Sequence, residues 1–98
     1  MNVIRHITIR GRVQGVGYRA FIEYEASKRS LEGWVRNRRD GSVEVVFAGD
    51  ERKVAEAVDE SRYGPPGARV DALDQRDGTK DELKLRRPGE AFSVLPTF

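Results

Sequence analysis

The sequence predicts an α+β sandwich, an antiparallel sheet of four or five strands with two helices on one face. Three observations support this prediction. Segments with alternating apolar and polar residues indicate half-buried strands, two segments with an apolar stripe at helical spacing indicate amphipathic helices, and their order is strand, helix, strand, strand, helix, strand. With 98 residues and no cysteine, we expect a single domain, residues 1–98, stabilised by its apolar core without a disulfide.

The first strand and the first helix are predicted from periodicity. In residues 3–10 apolar and polar residues alternate, as in a strand with one buried face. In residues 18–31 apolar residues recur every four positions from Tyr18, and Lys28 and Arg29 lie near the C-terminal end, where positive charge stabilises a helix. A strand that runs into an amphipathic helix therefore opens the domain.

Residues 33–49 are predicted to form a β-hairpin. Of a two-residue loop at 40–41 and a three-residue loop at 39–41, we favour the three-residue loop. It places Val35 opposite Val45 and the oppositely charged Arg36 and Glu44 opposite each other. In this register Asn37 lies on the same face as the apolar residues. A buried amide without hydrogen-bond partners costs about 1–3 kcal/mol, so this asparagine needs an explanation.

The second helix is predicted over residues 50–62. Asp50 is a good N-cap residue, and a thin apolar stripe follows it. The Gly-Pro-Pro-Gly segment at 64–67 ends the helix firmly, since proline cannot continue it.

The remaining segments are weaker in signal. Residues 69–74 predict a strand, and residues 91–98 predict a last strand at an edge or an end, because proline interrupts it. The highly charged stretch 75–90 gives no clear pattern, although Leu83 and Leu85 alternate with basic residues as in an edge strand. The complete order of elements is that of a ferredoxin-like α/β sandwich.

Charge is unevenly distributed along the chain. Residues 1–39 hold nine Lys or Arg and three acidic residues, whereas residues 40–98 hold nine and thirteen. A basic cluster favours an anionic partner, either a nucleic acid or a small anion, although solvated surface charge is an equally good explanation. No apolar run is long enough to span a membrane and the N-terminal residues lack a signal-peptide pattern, so we expect a cytoplasmic protein without a membrane partner.

The segment GRVQGVGYRAF, residues 11–21, is the first candidate functional site. Arg19 falls in the first turn of the predicted helix, where a positive charge is unfavourable unless an anion binds there. Gly15 and Gly17 allow a tight turn whose successive N–H groups converge on such an anion. Arg19 could then close this site with a bidentate grip on two phosphate oxygens. The segment therefore predicts a phosphate site.

Other interpretations of this segment have less support. The glycines could serve only a tight turn, with Arg19 solvated. Residues 15–20 match a dinucleotide fingerprint weakly, because no acidic residue follows at 34–39 and a hairpin replaces the parallel unit. No cysteine nucleophile exists, the lone His6 is more often structural, and no acidic cluster suggests a metal. Water is therefore the expected nucleophile, and Asn37 could hold it by a hydrogen bond.

GRVQGVGYR at 11–19 and the hairpin segment 33–49 together resemble the two signature motifs of the acylphosphatase family. The resemblance implies the ferredoxin-like fold and hydrolysis of the carboxyl-phosphate bond of small acyl phosphates, which releases inorganic phosphate, without a cofactor or metal. It implies that Arg19 binds the phosphate and that Asn37 orients the water. The cradle for the phosphate would comprise Gln14, Gly15, Val16, Gly17 and Tyr18.

Two expectations compete beyond the motifs. The favoured one is a monomeric enzyme that binds no nucleic acid and in which a substrate phosphate oxygen takes the proton from water. The alternative is a non-catalytic acylphosphatase-like module or an RNA-binding domain of the same topology, with Trp34 as a platform for a base. The aromatic signature of RNA-binding domains is missing, which weakens this alternative. The polar stretch 71–90 departs from the family pattern, so the sequence does not predict the strand order at this edge of the sheet.

Overall fold

The structure is a computed structural model that describes residues 1–98. It contains five strands and three helices: β1 (Asn2–Arg12), α1 (Tyr18–Ser27), β2 (Glu32–Asn37), β3 (Val43–Asp50), α2 (Glu51–Ser61), β4 (Arg69–Asp77), α3 (Lys80–Leu83) and β5 (Phe92–Val94). The strand order in the sheet is β4-β1-β3-β2-β5. The predicted ferredoxin-like class is confirmed. One detail differs, because β5 pairs with β2 in parallel and the sheet is mixed.

The core lies between the sheet and the two long helices. α1 and α2 pack on the same face, over apolar residues that the strands direct toward them. β3 is the central strand and its residues Val43 to Ala48 are all buried, which explains its nearly continuous apolar sequence. None of the helices combines the length and the apolar composition that crossing a membrane requires.

The hairpin has the predicted register. Val35 lies opposite Val45 and Arg36 lies opposite Glu44. The Arg38 N–H donates to the Ser42 carbonyl at 2.8 Å, which leaves a three-residue loop. The prediction of loop 39–41 is therefore confirmed, and the end of β2 is fixed relative to the start of β3.

Both long helices begin where the sequence predicted, but α1 ends earlier. Ser30 has φ 57, and the Leu31 N–H donates to the Ala26 carbonyl at 2.9 Å, so the chain turns out of the helix and buries Leu31. In α2 the Asp50 carboxylate accepts the Lys53 N–H at 3.2 Å, which confirms the predicted N-cap.

The charged stretch after residue 68 forms two elements. β4 pairs with β1 at the sheet edge and extends to Asp77, three residues beyond the predicted strand. The prediction of an edge strand through Leu83 and Leu85 is wrong, because Thr79 and Glu82 form a capping box that starts α3. Leu83 packs against Trp34 on the reverse face of the sheet. The spacing of Thr79 and Glu82 is that of a capping box, a sequence signal for the start of a helix.

The reverse face of the sheet is closed rather than open. Trp34 is 1% exposed, and its indole N–H donates to the Glu82 carbonyl at 2.7 Å. Beside it the Glu44 carboxylate contacts His6 and Arg36, each at 2.7 Å. Burial alone would raise the pKa of Glu44, but these hydrogen bonds and the nearby guanidinium lower it to about 2. Trp34 therefore offers no exposed ring to a nucleic-acid base, and His6 is structural.

Candidate active site

The glycine loop lies where β1 leaves the sheet and α1 begins. The pairing register of β1 with β4 shifts between Arg10 and Gly11, and β1 stays paired with β4 through Arg12, directly before the loop. Gly15 has φ 74 and Gly17 has φ 81, left-handed conformations that glycine adopts without strain. A Cβ atom added to either glycine would meet no atom within 4 Å, so both residues face open space. The loop therefore presents bare backbone toward the adjoining cleft.

The N-terminus of α1 has no capping group of its own. Gly17 is the N-cap residue and contributes no side-chain hydrogen bond, and the first turn holds no acidic residue. The N–H groups of residues 15–17 have no acceptor within the protein. These groups and the first amides of α1 together present partial positive charge. Unpartnered amides at a helix N-terminus are suited to binding an anion.

Arg19 lines a cleft of about 500 Å³ at this helix end. It is half-buried and takes part in no ion pair, whereas Arg36 on the reverse face is paired with Glu44. The same cleft is lined by Asn37 from the end of β2. The two motif residues are 18 positions apart in sequence, and the fold places both in the lining of this cleft.

Asn37 carries an unsatisfied polar atom. Its side-chain oxygen Oδ1 is buried and has no hydrogen-bond partner. Its backbone is held firmly, because the Asn37 carbonyl accepts the Phe98 N–H at 3.0 Å. A buried acceptor without a partner costs about 1–3 kcal/mol, so its place beside Arg19 indicates that a ligand or water completes the site.

Gln14 connects the loop to the hairpin. Its side-chain amide Nε2 donates to the carbonyls of Arg38 and Ser42, both at 2.8 Å. Ser42 is in turn held by the Asp40 carboxylate, which accepts its N–H and its hydroxyl, and these bonds lower the pKa of Asp40 to about 2. The Gln14 side chain thus sets the distance between loop and hairpin. Only its backbone is free to contact an anion.

Tyr18 and Val16 serve the site through packing. The Tyr18 hydroxyl donates to the Ser61 carbonyl at the end of α2, and burial raises the pKa of the phenol. Gly64 lies directly against the Tyr18 ring, where a Cβ would come within 2.8 Å of a ring carbon. Val16 packs on the core. The side chains of Tyr18 and Val16 therefore fix the loop to the core, and Val16 does not line the cleft itself.

Sequence reasoning missed four lining residues of the cleft: Ala20, Glu23, Val94 and the buried Val13, which directly precedes Gln14. The first two follow Arg19 on α1, and a helical projection of the sequence would have placed Glu23 on the same side as Arg19. Val94 lies on β5. This strand pairs with β2 in parallel, and no signal in the sequence predicts that pairing. No group of three or more His, Cys, Asp or Glu residues could hold a metal ion.

Comparison with known proteins agrees with this geometry. The sequence model of the acylphosphatase family matches residues 5–88. The chain belongs to the acylphosphatase family. The family resemblance of the two motifs is therefore confirmed, and with it the expectation of an enzyme of this family.

Similar proteins match along nearly the whole chain. An acylphosphatase of Rhodopseudomonas palustris is 62% identical over 98% of this chain and 97% of its own length. One of Bradyrhizobium diazoefficiens is 61% identical over 96% of this chain and 95% of its length. The crystal structure of acylphosphatase from Bacillus subtilis superposes with a TM-score of 0.82 at 35% identity, covering 97% of this chain and 99% of that one. The family match includes the polar stretch that departs from the expected pattern.

Proposed function

We propose that this chain hydrolyses the carboxyl-phosphate bond of small acyl phosphates at the cleft between α1 and β2. The phosphate would sit on the backbone amides of residues 14–18, with Arg19 gripping two of its oxygens. Asn37 would hold the attacking water. The observation that carries this proposal is the buried, unpartnered Oδ1 of Asn37 in the same cleft as the unpaired Arg19.

The chemistry suits a site without a strong acid or base. The leaving group is a carboxylate of low basicity, so its departure needs little protonation, and positioning with charge stabilisation supplies most of the catalysis. The backbone amides and the Arg19 guanidinium would bind the equatorial oxygens. A water that donates a hydrogen bond to Asn37 Oδ1 would attack phosphorus opposite the carboxylate. The P–O bond to the acyl group breaks as the new P–O bond forms. A phosphate oxygen of the substrate takes the proton of the water.

We also propose that the protein works as a cytoplasmic monomer on small molecules rather than on nucleic acid. All the residues of the proposed site come from one chain. The aromatic ring that an RNA-binding function would need, Trp34, is buried against α3. Light scattering after size-exclusion chromatography measures the mass directly, and a dimer at micromolar concentration would contradict the monomer.

The test compares substrates in the presence of excess EDTA. Benzoyl phosphate and phenyl phosphate share the phosphate group and differ in leaving group. We expect benzoyl phosphate to be hydrolysed roughly 10³-fold faster or more, with no effect of the chelator. Equal rates on the two substrates, or loss of activity in EDTA, would contradict the proposal. Nanomolar, salt-dependent binding of RNA without any hydrolysis would favour the binding-module alternative instead.

A further inference from the structure

The proposed anion site contains one carboxylate that its function does not explain. Glu23 lines the same cleft as Arg19 and Asn37. It is exposed, and it takes part in none of the ion pairs of α1, which Glu25 makes with Lys28 and Arg29. A negative charge near a bound phosphate is unfavourable. An acidic residue at this place therefore acts on something other than the phosphate.

The position of Glu23 relative to the phosphate follows from helix geometry. It is four residues after Arg19, which places it about 6 Å further along the helix axis and on the same side of α1. α1 and β5 also contribute Ala20 and the half-buried Val94 to the lining of this cleft, and neither residue carries a charge. With its phosphate at the first turn of α1, a substrate has room to lay its acyl group along this small, apolar floor toward Glu23.

We propose that Glu23 selects acyl phosphates by the charge of the acyl group. This inference rests on the proposed function and names the substrate class of that site. Glu23 attracts an acyl group that carries an ammonium or guanidinium and repels one that carries a second carboxylate. Every acyl phosphate carries the same phosphate group. The repulsion between this phosphate and Glu23 is therefore the same for all substrates and cancels when their kcat/KM values are compared.

The size of the effect follows from the exposure of the side chain. Opposite unit charges a few ångströms apart in a water-rich cleft change an affinity by about fivefold, and salt weakens the interaction. We therefore expect wild-type kcat/KM to rank 4-(aminomethyl)benzoyl phosphate above benzoyl phosphate, and benzoyl phosphate above 4-carboxybenzoyl phosphate. Each step should be about fivefold at low salt. Raising the ionic strength should shrink both steps.

The test measures these three substrates with the Glu23→Gln variant. We expect the ratio of the cationic to the anionic substrate to fall by roughly 10-fold or more, toward equality. The control is Glu51→Gln, because Glu51 is also an exposed helical glutamate but begins α2, outside the cleft. In Glu51→Gln the ratio of kcat/KM for the cationic substrate to that for the anionic substrate should equal the wild-type ratio.

The outcomes separate this inference from the function on which it rests. If the wild type fails to hydrolyse benzoyl phosphate, the proposed function is wrong. If it hydrolyses all three substrates and Glu23→Gln leaves their ratios unchanged, the function stands and charge selection by Glu23 is overturned. An equal fall in kcat for all three substrates also overturns it, because that result assigns Glu23 to the chemical step.

Discussion

The two long helices of this protein begin with the same residue type at the same position and different surroundings. Arg19 is the second residue of α1 and Arg52 is the second residue of α2. At α2 the Asp50 carboxylate caps the helix and Glu51 adds a second negative charge. At α1 the cap is a left-handed Gly17 without a side chain, and no acidic residue lies in the first turn. One helix start is neutralised by the protein and the other is not.

The difference shows which of the two helix starts is left without a neutralising carboxylate. Uncapped amides and a nearby guanidinium cost stability, and the partial charges at a helix N-terminus are worth about 0.3–1 kcal/mol to a suitable anion. An aspartate at the N-cap position of α1 would neutralise that helix start as Asp50 does for α2, but Gly17 occupies this position. The site at α1 instead remains positive and open to the cleft, which is the state that a phosphate group would neutralise.

Replacing Arg19 and Arg52, one at a time, should produce the largest difference between the two helix starts. We expect Arg19→Ala to lower kcat/KM for benzoyl phosphate by about 10³-fold or more, because the phosphate loses a charged bidentate partner in the transition state. Arg52→Ala is the matched control, an exposed arginine at the same helix position, and should retain activity within about twofold. Steady-state kinetics on both variants measure the difference.

Thermal unfolding of the same variants provides the second readout. Without ligand, Arg19→Ala should be as stable as the wild type or slightly more stable, since the guanidinium has no ion pair to lose. Inorganic phosphate should raise the Tm of the wild type and of Arg52→Ala, because it binds the folded state, but not that of Arg19→Ala. Activity of Arg19→Ala within tenfold of the wild type would refute the assignment of this residue.

Asn37 faces α1 across the cleft and tests whether binding and chemistry are separate. We expect Asn37→Ala to lower kcat by about 10²-fold, because the water loses the group that orients it. Phosphate binding, measured by calorimetry, should stay within about threefold of the wild type. Stability should also be retained, since Oδ1 has no partner to lose. A loss of phosphate binding as large as that of Arg19→Ala would remove the separate role of Asn37.

Sequence alone predicted the parts of this molecule where local signals and tertiary packing agree. The hairpin register followed from pairing Val35 with Val45, and the start of α2 followed from Asp50, because each choice had one low-energy answer. The family motifs singled out Arg19 and Asn37, and both line one cleft. Their shared cleft is a property of the fold, which the order of elements fixed.

Other features could not be predicted because they depend on distant parts of the chain. α1 stops at Ser27 since Leu31 is needed in the core, a tertiary effect that the helical pattern through residue 31 conceals. The role of the Gln14 side chain depends on two hairpin carbonyls more than twenty residues away. Val94 lines the cleft only because β5 lies in parallel beside β2.

The smallest predicted effect concerns the capped helix. Asp50→Ala removes the acceptor for the Lys53 N–H and should lower the free energy of unfolding by about 1 kcal/mol, as loss of an N-cap typically does. It should leave kcat/KM for benzoyl phosphate within about twofold, because the start of α2 does not line the cleft. Urea unfolding with and without phosphate measures both properties. Phosphate should stabilise Asp50→Ala as much as the wild type, since its binding site at α1 is untouched. If phosphate no longer stabilised Asp50→Ala, the anion would bind at the start of α2 rather than α1, which would contradict the proposed site.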